Sequence, residues 1–164
     1  MFAPCPADHY QVEHAELLRR SFYILTGRHL LDAALLPEAA AEALFHAPFV
    51  VLSHDAAPDP ILTYGNRIAL ELFELSWEAL TRMLSRLTAE APNRAELARL
   101  LAEVAAQGFI DDYSGVRISR TGRRFRIERV TVWNLTDDAG QPCGQAATYR
   151  TWRYLADAAP EQGR

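Results

Sequence analysis

The stretch Ile61-Leu62-Thr63-Tyr64-Gly65-Asn66-Arg67-Ile68-Ala69-Leu70-Glu71-Leu72-Phe73-Glu74-Leu75-Ser76-Trp77-Glu78-Ala79-Leu80 changes its hydrophobic period part-way through. Ile61 to Tyr64 reads as a strand. Gly65 and Asn66 suit a turn followed by a helix cap, because a short side-chain oxygen can accept from the free N–H groups of a first helical turn. From Ile68 the apolar residues take helical spacing, and Ser76 restarts a second short helix. A strand that runs into an Asn-capped helix belongs more to a sensory module than to an enzyme.

On the N-terminal side, residues 9–31 read as a helix with Ala15, Leu18, Phe22 and Leu25 on one face, ending near Gly27. That stripe must cover something apolar, either the domain's own sheet or the same helix of a second copy, and a homodimer through this helix is the favoured expectation. Pro37 suits the first turn of a second helix through Phe45, with Pro48 beyond its end. Phe49-Val50-Val51-Leu52-Ser53 is an apolar strand of central type, and His54 to Pro60 make a turn.

On the C-terminal side, Asn93 and Glu96 have capping-box spacing, and Leu97, Leu100, Leu101, Val104 and Ala105 mark the inner face of a helix stopped by Gly108. Three strands follow, at about 113–119, 124–135 and 143–152. Thr121-Gly122 and Asp137-Asp138-Ala139-Gly140 form the turns. In the middle strand Phe125 and Ile127 share one face while Val130 and Val132 take the other by count. Either a bulge flips the register or both faces are covered. Residues from Asp157 onward read as a frayed tail.

At the opening stretch the sequence resembles a PAS domain. Tyr113-Ser114-Gly115-Val116-Arg117-Ile118-Ser119 with Gly122-Arg123-Arg124-Phe125, and Val132-Trp133-Asn134-Leu135 with Gly144-Gln145-Ala146-Ala147, resemble more closely the MEKHLA family. That family is a PAS-like domain found as small bacterial proteins and at the end of plant class III homeodomain leucine-zipper proteins. The likeness runs from about Tyr10 to Trp152. Leu84 stands where the family pattern has Pro before Ser85-Arg86, which predicts a looser turn there. The resemblance implies an α+β fold: a PAS-like five-stranded antiparallel sheet with helices on one face and a ligand pocket between the sheet and the helix ending at Gly108. The division expected is 1–45 as an N-terminal helical extension, 46–155 as the PAS-like domain and 156–164 as a flexible tail.

The polar residues within these motifs are the candidate site: Tyr64, Asn66, Arg94, Tyr113, Arg117, Trp133, Asn134 and Gln145 as ligand-binding residues, with Ser85, Arg86 and Glu90 nearby in sequence. Each has a plainer role open to it. Asn66 caps its helix, Arg86 or Arg94 pairs with Glu90, Trp133 is core, and Gln145 meets backbone groups. Arg117 offers a fork for a carboxylate if its strand position faces inward.

The remaining chemistry is thin. The helix of haem-binding PAS relatives supplies a His, but residues 92–107 hold none and no His follows His54. Photochemical relatives form a flavin adduct on a cysteine, and here no Cys lies between Cys5 and Cys143. Flavin held without an adduct is left open, with Trp133, Asn134 and Gln145 as its contacts. A site at Cys5, His9 and His14 has metal-like spacing but flanking prolines, so no metal is expected. No phosphate loop, nucleophile elbow or carboxylate pair occurs, and the chain is not expected to be an enzyme. No cofactor is identified.

The chain has 164 residues, 49% hydrophobic and 23% charged, with a net charge of −4 that disfavours direct nucleic-acid binding. All 17 basic residues are Arg. Arg117, Arg120, Arg123, Arg124, Arg126 and Arg129 cluster in one segment, which reads as a solvated strand face or a surface for an acidic partner. No apolar run reaches membrane length, so a cytoplasmic protein with no membrane partner is the expectation. Two functions remain: a ligand-binding sensory module that signals to a protein partner, and an interaction or dimerisation module with a filled core.

Overall fold

The computed structural model describes Cys5 and residues 8–156. The predicted tail from Asp157 lies outside them. Six antiparallel strands form one sheet: β1 (Val50–His54), β2 (Leu62–Gly65), β3 (Phe109–Ile118), β4 (Arg124–Thr136), β5 (Pro142–Tyr149) and β6 (Thr151–Tyr154). Their order is β2-β1-β5-β4-β3, and β6 pairs with β4 beyond the end of β5. The expected antiparallel sheet is present, with its last predicted strand divided into β5 and β6. The predicted strand over 143–152 is interrupted at Arg150, so Thr131 of β4 faces Thr148 while Glu128 faces Thr151.

Helices cover both faces, because the N-terminal helical extension packs across the side of the sheet opposite the PAS-like helices. Helices α1 (Val12–Thr26) and α2 (Pro37–Phe45) lie over one face, with Ala15, Leu18 and Phe22 packed among Val51, Tyr64, Trp133 and Leu135. The Phe22 ring meets Trp133 edge-on at 5.0 Å. The α1 stripe therefore covers the chain's own sheet, and α1 is shorter than the span 9–31. Helices α3 (Arg67–Phe73) and α5 (Ala91–Gln107) lie over the opposite face, where Leu72, Phe73, Leu97, Leu100 and Val104 meet Phe125, Ile127, Val130 and Val132. A short helix α4 (Trp77–Leu80) and a 3₁₀ turn (Ser85–Thr88) link α3 to α5. Among the described residues no helix is long and apolar enough to cross a membrane.

Phe125, Ile127, Val130 and Val132 share a face because a bulge flips the register. Arg129 has φ +53°, and from Tyr113↔Val130 to Gly115↔Ile127 the ladder advances two residues on β3 and three on β4. A compensating extra residue sits in β3, where Asp112 has φ +57° between Ile110↔Val132 and Tyr113↔Val130.

The Asn66 cap forms as expected: its Oδ1 accepts from Ala69 N, and Ser76 caps α4 in the same way. The capping box at Asn93 does not form. Pro92 lies in the first turn of α5, the N-cap position is Glu90 without a side-chain bond, and Asn93 is already helical. Pro tolerates that position because its missing N–H has no helical acceptor there. Nor is the turn at Leu84 loose. Leu84 bridges Ile61, Leu62 N donates to the Met83 carbonyl (2.9 Å), and Ser85 N donates to the Pro60 carbonyl (2.8 Å).

Candidate functional site

Between the α5 face of the sheet and helices α3 and α5 lies a cavity of about 60 Å³. Its walls are mainly apolar, from Leu52, Leu62, Phe73, Leu97, Leu100, Ile127, Val130 and Val132. Alternation along β4 and β5 brings the side chains of Val130, Val132, Gln145, Ala147 and Tyr149 to this side.

At one part of the wall stand Tyr113, Arg117 and Tyr149. Arg117 is 7% exposed. It donates from Nη1 to its neighbour's carbonyl at Val116 (2.9 Å) and from Nη2 to the Tyr113 hydroxyl (3.2 Å), and its guanidinium lies 5.6 Å from the Tyr113 ring centroid. Tyr113 in turn donates its hydroxyl hydrogen to Glu96 at 3.4 Å, on the solvent side. No carboxylate among the described residues comes within 4.0 Å of Arg117, although seven other arginines form such pairs. Gly115 makes the cluster possible, since a Cβ there would lie 2.9 Å from Tyr113 Cζ and 3.0 Å from Arg117 Nη1. The Tyr149 hydroxyl is buried without a hydrogen-bond partner among the described residues. Burial pushes its pKa up, with the Arg117 charge opposing, so it remains a phenol donor.

His54 occupies another part of the wall. Its Nδ1 donates to the Asp55 carbonyl (2.7 Å) and its Nε2 is buried without a partner among the described residues. Burial lowers its pKa, which keeps the ring neutral and leaves Nε2 as an acceptor. Ser85 and Thr88 complete the polar lining, with the Thr88 hydroxyl donating to the Ser85 carbonyl (2.8 Å).

Of the residues singled out in the sequence, Tyr113, Arg117, Gln145 and the neighbouring Ser85 line the cavity and the others do not. Tyr64 and Trp133 are fully buried on the α1 face, Tyr64 stacked on His14 at 5.5 Å and Trp133 against Phe22. Asn66 is consumed by the fold: Oδ1 accepts from Val51 N (3.1 Å) and Ala69 N (3.3 Å), while Nδ2 donates to the carbonyls of Phe49 (2.7 Å) and Leu44 (3.1 Å). Arg94 donates to the Ala89 carbonyl (3.0 Å). Gln145 and Asn134 tie the sheet to α5. Gln145 donates to the Leu101 carbonyl (2.9 Å) and Asn134 Oδ1 (3.1 Å), and Asn134 donates to the Val104 carbonyl (3.0 Å). Glu90 pairs with Arg124 and Arg86 with Asp59, not with each other. Tyr149 and Thr88 are not singled out by the sequence, where His54 reads as the start of a turn and Gly115 as part of a family-like motif. The pairing of Gly115 with Ile127 follows from the bulge at Arg129, which the motif does not show.

A MEKHLA domain family model matches residues 12–154. The chain belongs to the MEKHLA family.

Curated relatives of this MEKHLA domain include the homeobox-leucine zipper proteins ATHB-9 and ATHB-14 of Arabidopsis thaliana. ATHB-9 is 27% identical over 96 residues, 58% of this chain and 11% of the relative. ATHB-14 is 26% identical over 143 residues, 84% of this chain and 17% of the relative. The chain thus spans a small part of the length of these proteins. Among solved structures it is similar to a PAS domain from Colwellia psychrerythraea, with TM-score 0.58 and 15% identity, covering 70% of this chain and 92% of that one. It is also similar to an RNA-binding light-oxygen-voltage receptor, with TM-score 0.57 and 18% identity, over 73% of this chain and 33% of that one. These likenesses establish the PAS-like fold.

The flavin of light-oxygen-voltage domains does not fit this MEKHLA cavity. One benzene ring occupies a cavity of about 150 Å³, more than twice the room here. Trp133 faces α1, and Asn134 and Gln145 are bonded to α5.

Proposed function

We propose that this chain is a sensory module of PAS type that binds a small molecule between its sheet and α5 and passes occupancy to a protein partner. One observation carries the reading. Tyr149 and His54 both line a single apolar cavity, and neither the Tyr149 hydroxyl nor His54 Nε2 has a hydrogen-bond partner among the described residues. An orphaned buried polar group costs about 1–3 kcal/mol. Three other such groups, Tyr64 Oη, Trp77 Nε1 and Trp133 Nε1, lie in the packed layer beneath α1 and α2, so what favours a binding pocket is that these two belong to residues lining one shared cavity.

The sheet supplies a route for the signal. Val132 of β4 lines the cavity while its neighbour Trp133 packs on Phe22 of α1. A ligand that moves β4 therefore acts on α1, whose outer side carries the exposed Tyr23 and Ile24. The partner reads that helix.

Native mass spectrometry of protein purified without additives, combined with thermal shift across a panel of small metabolites, tests the reading. Added mass or a melting-temperature rise of several degrees is the expected result. No added mass and no shift with any compound would leave the filled-core interaction module in its place.

A further inference from the structure

We infer that the cavity is a carboxylate receptor: Arg117, with Tyr149 beside it, takes the carboxylate of a short-chain monocarboxylic acid whose carbon chain lies among Leu97, Ile127 and Val130. The inference rests on the ligand-binding reading above and adds the chemical class of the ligand.

The charge balance of the pocket supports it first. A guanidinium stays charged at any ordinary pH, and a buried charge is stable only when paired and hydrogen-bonded. Arg117 is almost wholly buried and no acidic side chain among the described residues pairs with it. Glu96 is held off by the intervening Tyr113 hydroxyl. Two N–H groups of Arg117 are engaged, by the Val116 carbonyl and by Tyr113, and its other donors have no acceptor among the described residues. Tyr149 adds a second buried donor from β5, with no competing acceptor among the described residues. Convergent N–H and O–H donors around a fixed positive charge recognise a carboxylate, and recognise poorly the amide of the same shape.

The remaining wall sets the size. The space of about 60 Å³ equals roughly two water molecules' share of liquid volume, well below the room for an aromatic ring. Leu97, Leu100, Ile127, Val130 and Val132 surround it with hydrocarbon. The space as it stands takes a carboxylate with little hydrocarbon attached, so an acid of about two or three carbons enters only as the apolar wall gives way, and one of about four or more asks for as much room as benzene.

Titration of the intact protein with propionate, propionamide and hexanoate, read by calorimetry and by thermal shift, tests the inference. Propionate should bind, and propionamide and hexanoate should bind at least about tenfold more weakly. Arg117→Gln should weaken propionate by a similar factor and Tyr149→Phe by less. The comparison of acid with amide uses the unaltered protein, so it stands even if a variant fails to fold. If propionamide binds as tightly as propionate, or folded Arg117→Gln retains the affinity, the carboxylate inference is overturned while the sensory reading stands. The same holds if another panel compound enters the cavity and no carboxylate does. If nothing in the panel binds, both fall.

Discussion

His14 Nε2 of α1 lies 2.9 Å from Ser53 Oγ of β1, joining the helix to the sheet inside a packed layer. The Ser53 hydroxyl also meets Thr63 Oγ1 at 2.8 Å, and the His14 ring is stacked on Tyr64. No charged group offsets the burial, so the His14 pKa falls from 6.5 to about 4. A folded-state pKa below the unfolded one means that the unfolded chain takes up the proton first. The stabilisation is complete above pH 6.5 and is lost as the pH falls from there towards 4. Between pH 7.5 and 4.5 this histidine should cost roughly 2–3 kcal/mol of stability. Urea unfolding of the natural protein and of His14→Gln at both pH values isolates it, because His54 titrates in both. Parallel pH profiles would refute it.

Asn66→Ala should destabilise the domain by at least about 3 kcal/mol, because it removes four hydrogen bonds to buried backbone groups at the junction of α2, β1 and α3. Asn66→Asp should fare no better. It keeps the acceptor for Ala69 but turns an oxygen towards the carbonyls of Leu44 and Phe49. Chemical denaturation measures both, and recovery of stability in the Asp variant would show that capping alone matters.

Arg129 has φ +53° at the bulge of β4. Glycine adopts this conformation freely and a β-branched residue does not. Arg129→Gly should be neutral or slightly stabilising, and Arg129→Val should cost about 1–3 kcal/mol. Equal thermal stabilities for the two variants would argue against the bulge.

Gly115→Ala should weaken propionate binding much more than it weakens the fold. The new methyl group would press on the Tyr113 hydroxyl and on Arg117 Nη1, two side-chain ends that can move aside without breaking the ladder. Calorimetry and melting temperature, taken on the same preparation, separate the two effects. A large drop in melting temperature with unchanged affinity would contradict this placement of the two side chains.

Much of this fold is legible in the sequence where the signal is local. Asn66 and Ser76 cap helices as their short polar side chains suggest, Gly27 and Gly108 end α1 and α5, and the apolar stripe of α5 meets the sheet. The site is less legible, because a period of two reveals that Tyr64 and Trp133 are buried but not in which layer. With helices on both faces, buried residues of either parity look alike. The single residue Arg129 decides that Phe125, Ile127, Val130 and Val132 all face α5, and nothing in its chemistry announces a positive φ. Asn93 misleads because Pro92 starts the helix earlier. Tyr149 and His54 gain their interest only from having no partner once packed, a property no motif records.

Methyl-resolved NMR of the protein titrated with short carboxylates tests the central claim most directly. The account predicts that the methyl signals of Leu97, Ile127 and Val130, which line the cavity, shift saturably with propionate, while those of Leu18 and Leu44 beneath α1 and α2 move less. A spectrum in which no cavity methyl responds to any compound of the panel, or in which only the α1 side responds, would contradict it.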